Sequence, residues 1–135
     1  MDRLRRAFAA HPAPASDAGD EAHDLVAAAS ECAAVCTACA DACLAEDDPA
    51  ALRACIRTDL DCADLCAVTA RLISRPGPQD PATLRAQLDA CATACRACAA
   101  ECDRHAGRME HCRVCAEACR ACADACDRMK AAIVG

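Results

Sequence analysis

Between Cys112 and Cys126 the chain reads C-R-V-C-A-E-A-C-R-A-C-A-D-A-C, with thiols at 112, 115, 119, 122 and 126. Steps of three, four, three and four residues are those of a heptad seam in which every inward position is a cysteine. At about 100° per residue the five sulfurs fall in a stripe roughly 80° wide on one helix face. Alanine and charged residues fill the other positions, and alanine has the highest helix propensity. The stripe is about 21 Å long at 1.5 Å per residue.

The pattern recurs in three more segments. Cys32, Cys36, Cys39 and Cys43 are spaced four, three, four, and so are Cys91, Cys95, Cys98 and Cys102. Cys55, Cys62 and Cys66 follow the same seam with one thiol missing, where Thr58 or Asp59 stands. The four segments hold all 16 cysteines of the 135-residue chain.

Punctuation between the segments sets their order. Asp48-Pro49 and Asp80-Pro81 each place an N-cap residue before a proline at the first helical position. Arg75-Pro76-Gly77-Pro78 ends the second segment, and Gly107 is a candidate C-cap for the third. Helices are expected from Asp17 or Asp20 to about Ala45, from Pro49 to about Ser74, from Pro81 to near His105, and from Arg108 to about Ile133. Three short connections imply antiparallel neighbours. The fold class is all-α: an up-down-up-down four-helix bundle with a cysteine-lined core. Residues 1–19 are expected to form an N-terminal arm and linker, in which Leu4 and Phe8 are four apart and can dock one helical turn. Residues 20–135 form the bundle, a single domain.

Composition narrows the function. The hydrophobic fraction is 56%, but there is one Phe and no Trp or Tyr, so the apolar content is mostly alanine and cysteine and a conventional oily core would be thin. Net charge is −6, with acids and bases interspersed. That describes a solvated surface and argues against nucleic acid as a partner. No signal peptide is visible: after Arg5-Arg6 only Ala7 to Ala10 follow before His11-Pro12, too short for the apolar run of an export signal. No segment is expected to span a membrane. The expected compartment is the reducing cytoplasm, where disulfides are rare. The regular helical spacing also differs from the loop-rich chains of disulfide scaffolds.

Extending each stripe at helical spacing distinguishes the two ends. One way it meets Leu25, Ile73, Leu84 and Leu88, and Met129 and Ile133, an apolar plug. The other way it meets His105, Met109 and His111, beside Cys112. The thiol tube is therefore expected to have a closed end and a mouth. His105 and His111 are candidate ligands, with a solvated helix-end histidine as the alternative for each. His11 and His23 lie off the stripes and are expected at the surface. Leu65, Val68 and Leu72 form a second ridge, for helix packing or for an oligomer contact.

Soft thiolates select Cu(I), Zn(II) or iron–sulfur clusters. Structural zinc needs four ligands converging tetrahedrally, and sulfurs strung along straight helices are expected to converge badly. The loop spacings of Fe–S sites are absent. Cu(I) accepts two or three thiolates, so cysteines at i, i+4 or on facing helices can flank one ion. Charge favours it as well, since one Cu⁺ per buried thiolate leaves a neutral core. With each sulfur bridging two ions the capacity is about 16, roughly one per cysteine. The alternatives are a zinc or general heavy-metal thiolate buffer and a thiol redox or sensor protein. A sensor needs one distinctive low-pKa cysteine, and a copper chaperone needs an exposed C-x-x-C.

In E-C-A-A-V-C-T-A-C-A-D-A-C and H-C-R-V-C-A-E-A-C-R-A-C-A-D-A-C the chain resembles the bacterial copper storage proteins, cysteine-rich four-helix bundles that fill with Cu(I). The resemblance spans about residues 20–133. It implies a homotetramer of bundles, copper uptake at one open end, and His or Met residues there; the expected mechanism is coordination, with no catalytic activity. Exported members carry a twin-arginine signal, so the resemblance is to the cytosolic branch. The interruption at Thr58/Asp59 departs from a full stripe.

Overall fold

The computed structural model describes residues 1–13 and 19–133. Among these residues there are five α-helices and no strand: α1 Asp2–Ala9, α2 Gly19–Leu44, α3 Arg53–Ile73, α4 Pro81–Asp103 and α5 Glu110–Ala132. The four long helices form a closed ring, in which α2 and α4 each pack against both α3 and α5. Sulfur pairs reveal their directions. Along α2 the residues Cys32, Cys36 and Cys39 meet Cys119, Cys115 and Cys112 of α5 in descending order. Along α3 the residues Cys55, Cys62 and Cys66 meet Cys102, Cys95 and Cys91 of α4, again descending. Neighbouring helices are antiparallel, and the thiol seam of each faces the axis.

The helix starts differ in detail. Asp80 caps α4 as the sequence predicts: its carboxylate accepts from the Thr83 backbone N at 3.0 Å and from the Thr83 hydroxyl at 2.7 Å. Asp48 makes no side-chain cap bond, and a 3-10 turn over Pro49–Leu52 precedes α3, which begins at Arg53 rather than at Pro49. Without a side-chain acceptor the first turn tightens to i→i+3 bonds, as in Ala51 N to Asp48 O. Gly107 is not the cap of α4. That helix ends at Asp103, with Arg104 in right-handed geometry behind it. Among the described residues α2 begins at Gly19; the alternative start at Asp17 lies outside them.

The apolar end is as the stripes foretell. Leu25, Ile73, Leu84, Leu88 and Met129 are buried, and Ile133 packs half-buried against them. Helix α1 lies against α2 there, with Leu4 and Phe8 packed on the core and Arg5 paired with Asp20 at 3.4 Å. This docking corrects the expectation for His23, which is buried at 6% exposure with its Nε2 3.0 Å from the Met1 carbonyl oxygen. His11 is half-buried beside Gly77, where the segment after α1 meets the α3–α4 connection.

One expectation about membranes is also corrected. By length and composition alone, α2 is long and apolar enough to cross a bilayer. Its apolarity comes from alanine and cysteine, and its cysteine stripe is buried in the bundle core. On α3, Val68 is exposed while Leu65 and Leu72 are half-buried.

A candidate metal centre along the bundle axis

All 16 cysteines are buried, and none is paired in a disulfide. Their sulfurs form a column. Cys36 and Cys119 lie 3.6 Å apart, Cys36 and Cys115 3.7 Å, Cys62 and Cys95 3.7 Å, and Cys66 and Cys95 3.6 Å. Sets of four ligand atoms lie within 4.8 Å of one another: Cys32, Cys36, Cys62 and Cys119; Cys32, Cys66, Cys95 and Cys122; Cys36, Cys98, Cys115 and Cys119. This overturns the expectation that sulfurs on straight helices converge badly. A tetrahedral zinc site with bonds of 2.3 Å needs sulfurs about 3.8 Å apart, and antiparallel packing delivers that spacing from three or four helices at once. The sets share members, however: Cys32, Cys36 and Cys119 each belong to two.

Asp59 interrupts the column. It is fully buried, while Thr58 turns outward and donates its hydroxyl to the carbonyls of Ala54 and Cys55. The Oδ1 atom of Asp59 accepts from Cys98 at 3.1 Å, Cys115 at 3.2 Å and Cys102 at 3.7 Å. Burial, and then the hydrogen bond with Cys98, push its carboxyl from the ordinary 3.8 up to about 12. It is therefore neutral at physiological pH, which is what allows it to sit among thiols. With Cys39, Cys102 and Cys115 it forms another set of four within 4.8 Å.

The mouth lies where α2 ends and α5 begins. Cys39, Cys43, Cys112 and His111 lie within 4.8 Å of one another. Nδ1 of His111 is 3.4 Å from the Cys39 sulfur and 3.6 Å from that of Cys112, and Nε2 is 2.8 Å from a Glu46 carboxylate oxygen. Partial burial opposes the charged imidazole, but the bonds with Cys39 and Glu46 outweigh it and hold the pKa above its ordinary value. His105 stands in the α4–α5 turn, half-buried, and its buried Nδ1 makes no hydrogen bond. Met109 is half-buried at the N-cap of α5.

Burial also governs the thiols near the mouth. It pushes Cys43 up to about 11 and, with the charge of Cys39, raises Cys112. Deeper, Cys32 is lowered, chiefly through its hydrogen bond with Cys119, while its neighbour Cys36 is raised, chiefly by Cys115. One thiolate can thus be held by the protons of its neighbours. Many can coexist only if cations replace those protons.

Glu46 did not figure among the candidate ligands read from sequence. The signal was there: Cys32, Cys36, Cys39, Cys43 and Glu46 run four, three, four, three, so the carboxylate continues the α2 seam one step past its last thiol.

The fold and the column define a class: a helical bundle whose core is a metal-binding thiol array. Residues 18–131 match the family model of the copper storage proteins, and the chain belongs to that family. It is similar to the copper storage protein Ccsp of Streptomyces lividans loaded with 10 copper equivalents, with a TM-score of 0.92 and 48% identity, covering 96% of this chain and 99% of that one. A structure of the cytosolic copper storage protein of S. lividans with five coppers gives a TM-score of 0.83 and 52% identity over 85% of this chain and 96% of that one. The uncharacterized cysteine-rich protein YhjQ of Bacillus subtilis (strain 168) is 35% identical over 83 residues, 62% of this chain and 71% of its own length.

Proposed function

We propose that this protein is a cytosolic store for Cu(I), holding about one ion per cysteine, or roughly 16, by coordination rather than by catalysis. The observation that carries the stoichiometry is the sharing of sulfurs between adjacent four-atom sets, as with Cys32, Cys36 and Cys119. Bridging thiolates in a copper array need such shared sets; disjoint sets such as Cys32, Cys66, Cys95, Cys122 and Cys36, Cys98, Cys115, Cys119 would admit separate zinc ions as well, so charge decides between the metals. Four Zn²⁺ among 16 buried thiolates would leave a large negative excess, and one Cu⁺ per thiolate leaves none.

The ligands in this reading are all 16 cysteines, with His111 and His105 at the mouth through which ions pass. The cytosolic assignment follows the S. lividans relative, described as cytosolic. A homotetramer is the assembly the family resemblance suggests, and the exposed Leu60 and Val68 on α3 offer apolar surface for it. Residues 1–19 act as an arm on a bundle formed by residues 20–135.

The test is an anaerobic titration of the reduced protein with Cu(I) against a competing chelator, with Zn(II) in parallel. Without Trp or Tyr the thiolate absorption rises over a nearly blank background. Saturation near one Cu(I) per cysteine with helical signal retained supports the store. Saturation near one Zn per four cysteines, resistant to copper, supports the heavy-metal buffer that the four-sulfur sets also permit.

A further inference from the structure

We infer that Glu46 is a positioning residue of the mouth: it fixes the His111 ring so that the Nδ1 lone pair faces the sulfurs of Cys39 and Cys112, and thereby sets the rate at which Cu(I) is taken in. This rests on the copper reading above and extends it to a residue that is not itself a thiol.

The placement begins in the backbone. Helix α2 ends at Leu44, but Ala45 N bonds Ala42 O at 3.1 Å and Glu46 N bonds Cys43 O at 3.3 Å. These i→i+3 bonds carry the chain two residues further in helical sense, so Glu46 keeps the inward register of Cys39 and Cys43. From there its Oε2 reaches His111 Nε2 at 2.8 Å, while the other ring nitrogen stands 3.4 Å from Cys39 Sγ and 3.6 Å from Cys112 Sγ.

The two nitrogens thus have partners of opposite kind. A carboxylate only accepts, so Nε2 carries the proton and donates it to Glu46. In the neutral ring Nδ1 is then the bare acceptor, directed at thiols that give up their protons when a metal arrives. Carboxylate–histidine–metal arrangements use this geometry to fix tautomer and ring orientation and to raise ligand basicity. His105 is the contrast within the same mouth, since its buried Nδ1 has no hydrogen-bond partner. Both members of the pair are reachable from solvent, with His111 25% and Glu46 35% exposed, as befits the outermost position of the column.

The experiment compares the reduced full-length chain with Glu46→Ala and Glu46→Gln, each first shown to retain the helical spectrum. Long-range proton–nitrogen NMR reads the His111 tautomer in the absence of metal, at a pH where the ring is neutral. Stopped-flow mixing with a Cu(I)–chelator complex reads the initial rate of loading. Wild type is expected as the Nε2–H tautomer. Glu46→Ala is expected to lose that preference and to load about 10-fold more slowly. Glu46→Gln, whose amide oxygen still accepts from Nε2–H, is expected to recover the tautomer and most of the rate. The inference is overturned if Glu46→Ala keeps the wild-type tautomer or the wild-type rate. It is equally overturned if Gln and Ala slow loading alike with the tautomer intact, because the carboxylate would then act only by its charge. Failure of the copper reading shows separately, as wild-type saturation far below one Cu(I) per cysteine.

Discussion

Cys66 of α3 and Cys122 of α5 sit on helices that face each other across the bundle diagonal, yet their sulfurs are 3.7 Å apart. Cys62 and Cys119 bridge the same diagonal at 4.0 Å. Thiols that meet across the diagonal fill the axis, leaving a solid stack of sulfur with no bore along these levels. In the proposed store, ions would advance through such a stack by exchange from one thiolate to the next.

Cys66 is as connected as any position in that stack, touching Cys62, Cys91, Cys95 and Cys122, and is matched only by Cys62, which touches Cys32, Cys66, Cys95 and Cys119. Cys66→Ala is expected to lower the Cu(I) capacity by about two, since each sulfur bridges two ions. Cys43→Ala, at the mouth, is expected to cost about one ion and to slow the earliest phase of loading. Chelator-competed titrations of both variants check this, and equal losses at the two positions would refute the shared-sulfur arrangement.

Asp59 is expected to make the metal-free protein less stable as pH rises. Its folded pKa, pushed up to about 12, lies far above the unfolded 3.8. The native state therefore keeps a proton that the unfolded chain has released. The stabilising contribution is complete below about pH 4 and is lost at about 1.4 kcal/mol per pH unit as pH climbs between the two values. Asp59→Asn removes the titration while preserving shape. Urea unfolding of the reduced apo protein at about pH 5 and about pH 7.5 should show a clear decline in wild type and a shallower one in the variant. Parallel declines would mean that another group carries the pH dependence.

In the proposed store the mouth histidines are expected to govern kinetics rather than capacity. His105→Ala combined with His111→Ala is expected to slow copper loading and release while saturation stays near wild type, because all 16 thiols remain. A large fall in saturation would show that these residues hold ions instead of passing them.

Leu88 tests the division of labour between the two ends. It is 1% exposed within the apolar plug. Leu88→Ala is expected to destabilise the apo bundle by about 2–5 kcal/mol, as for other buried leucines. The copper count should not change, since no ligand is lost. Denaturant unfolding and titration of the same preparation separate the two effects, and a fall in stoichiometry would mean that the plug also shapes the sulfur sites.

Most of the bundle was legible because the thiols themselves mark a period of 3.5 residues, which fixes helix face and length together. The same seams extended outward located Leu25, Ile73, Leu84, Leu88 and Met129 at the buried end. Asp59 fits the spacing of four, three, four between Cys55 and Cys66, but with Thr58 beside it the seam position was left open between the two. Asp59 lies inside because burial keeps it protonated. His23 was misread because its cover is the N-terminal helix folding back, a long-range contact that no local periodicity encodes. The convergence of four sulfurs within 4.8 Å was misjudged for a similar reason: a single helix shows a row, and only the register between helices turns rows into clusters. Glu46 lay two residues beyond Leu44, the last regular helical residue, where extrapolation of the seam stopped too early.

The plug formed by Leu25, Leu88 and Ile73 gives the column a blind end. A blind column fed from its mouth keeps its contents in order of arrival. In a store loaded only from the mouth, ions that reach Cys91, Cys122 and Cys126 would be overlain by every later one, so the copper most readily recovered would be the most recently acquired. Exchange with isotopically labelled Cu(I) would then be fast for a small young fraction and slow for an old one, and the protein would carry a memory of its own filling.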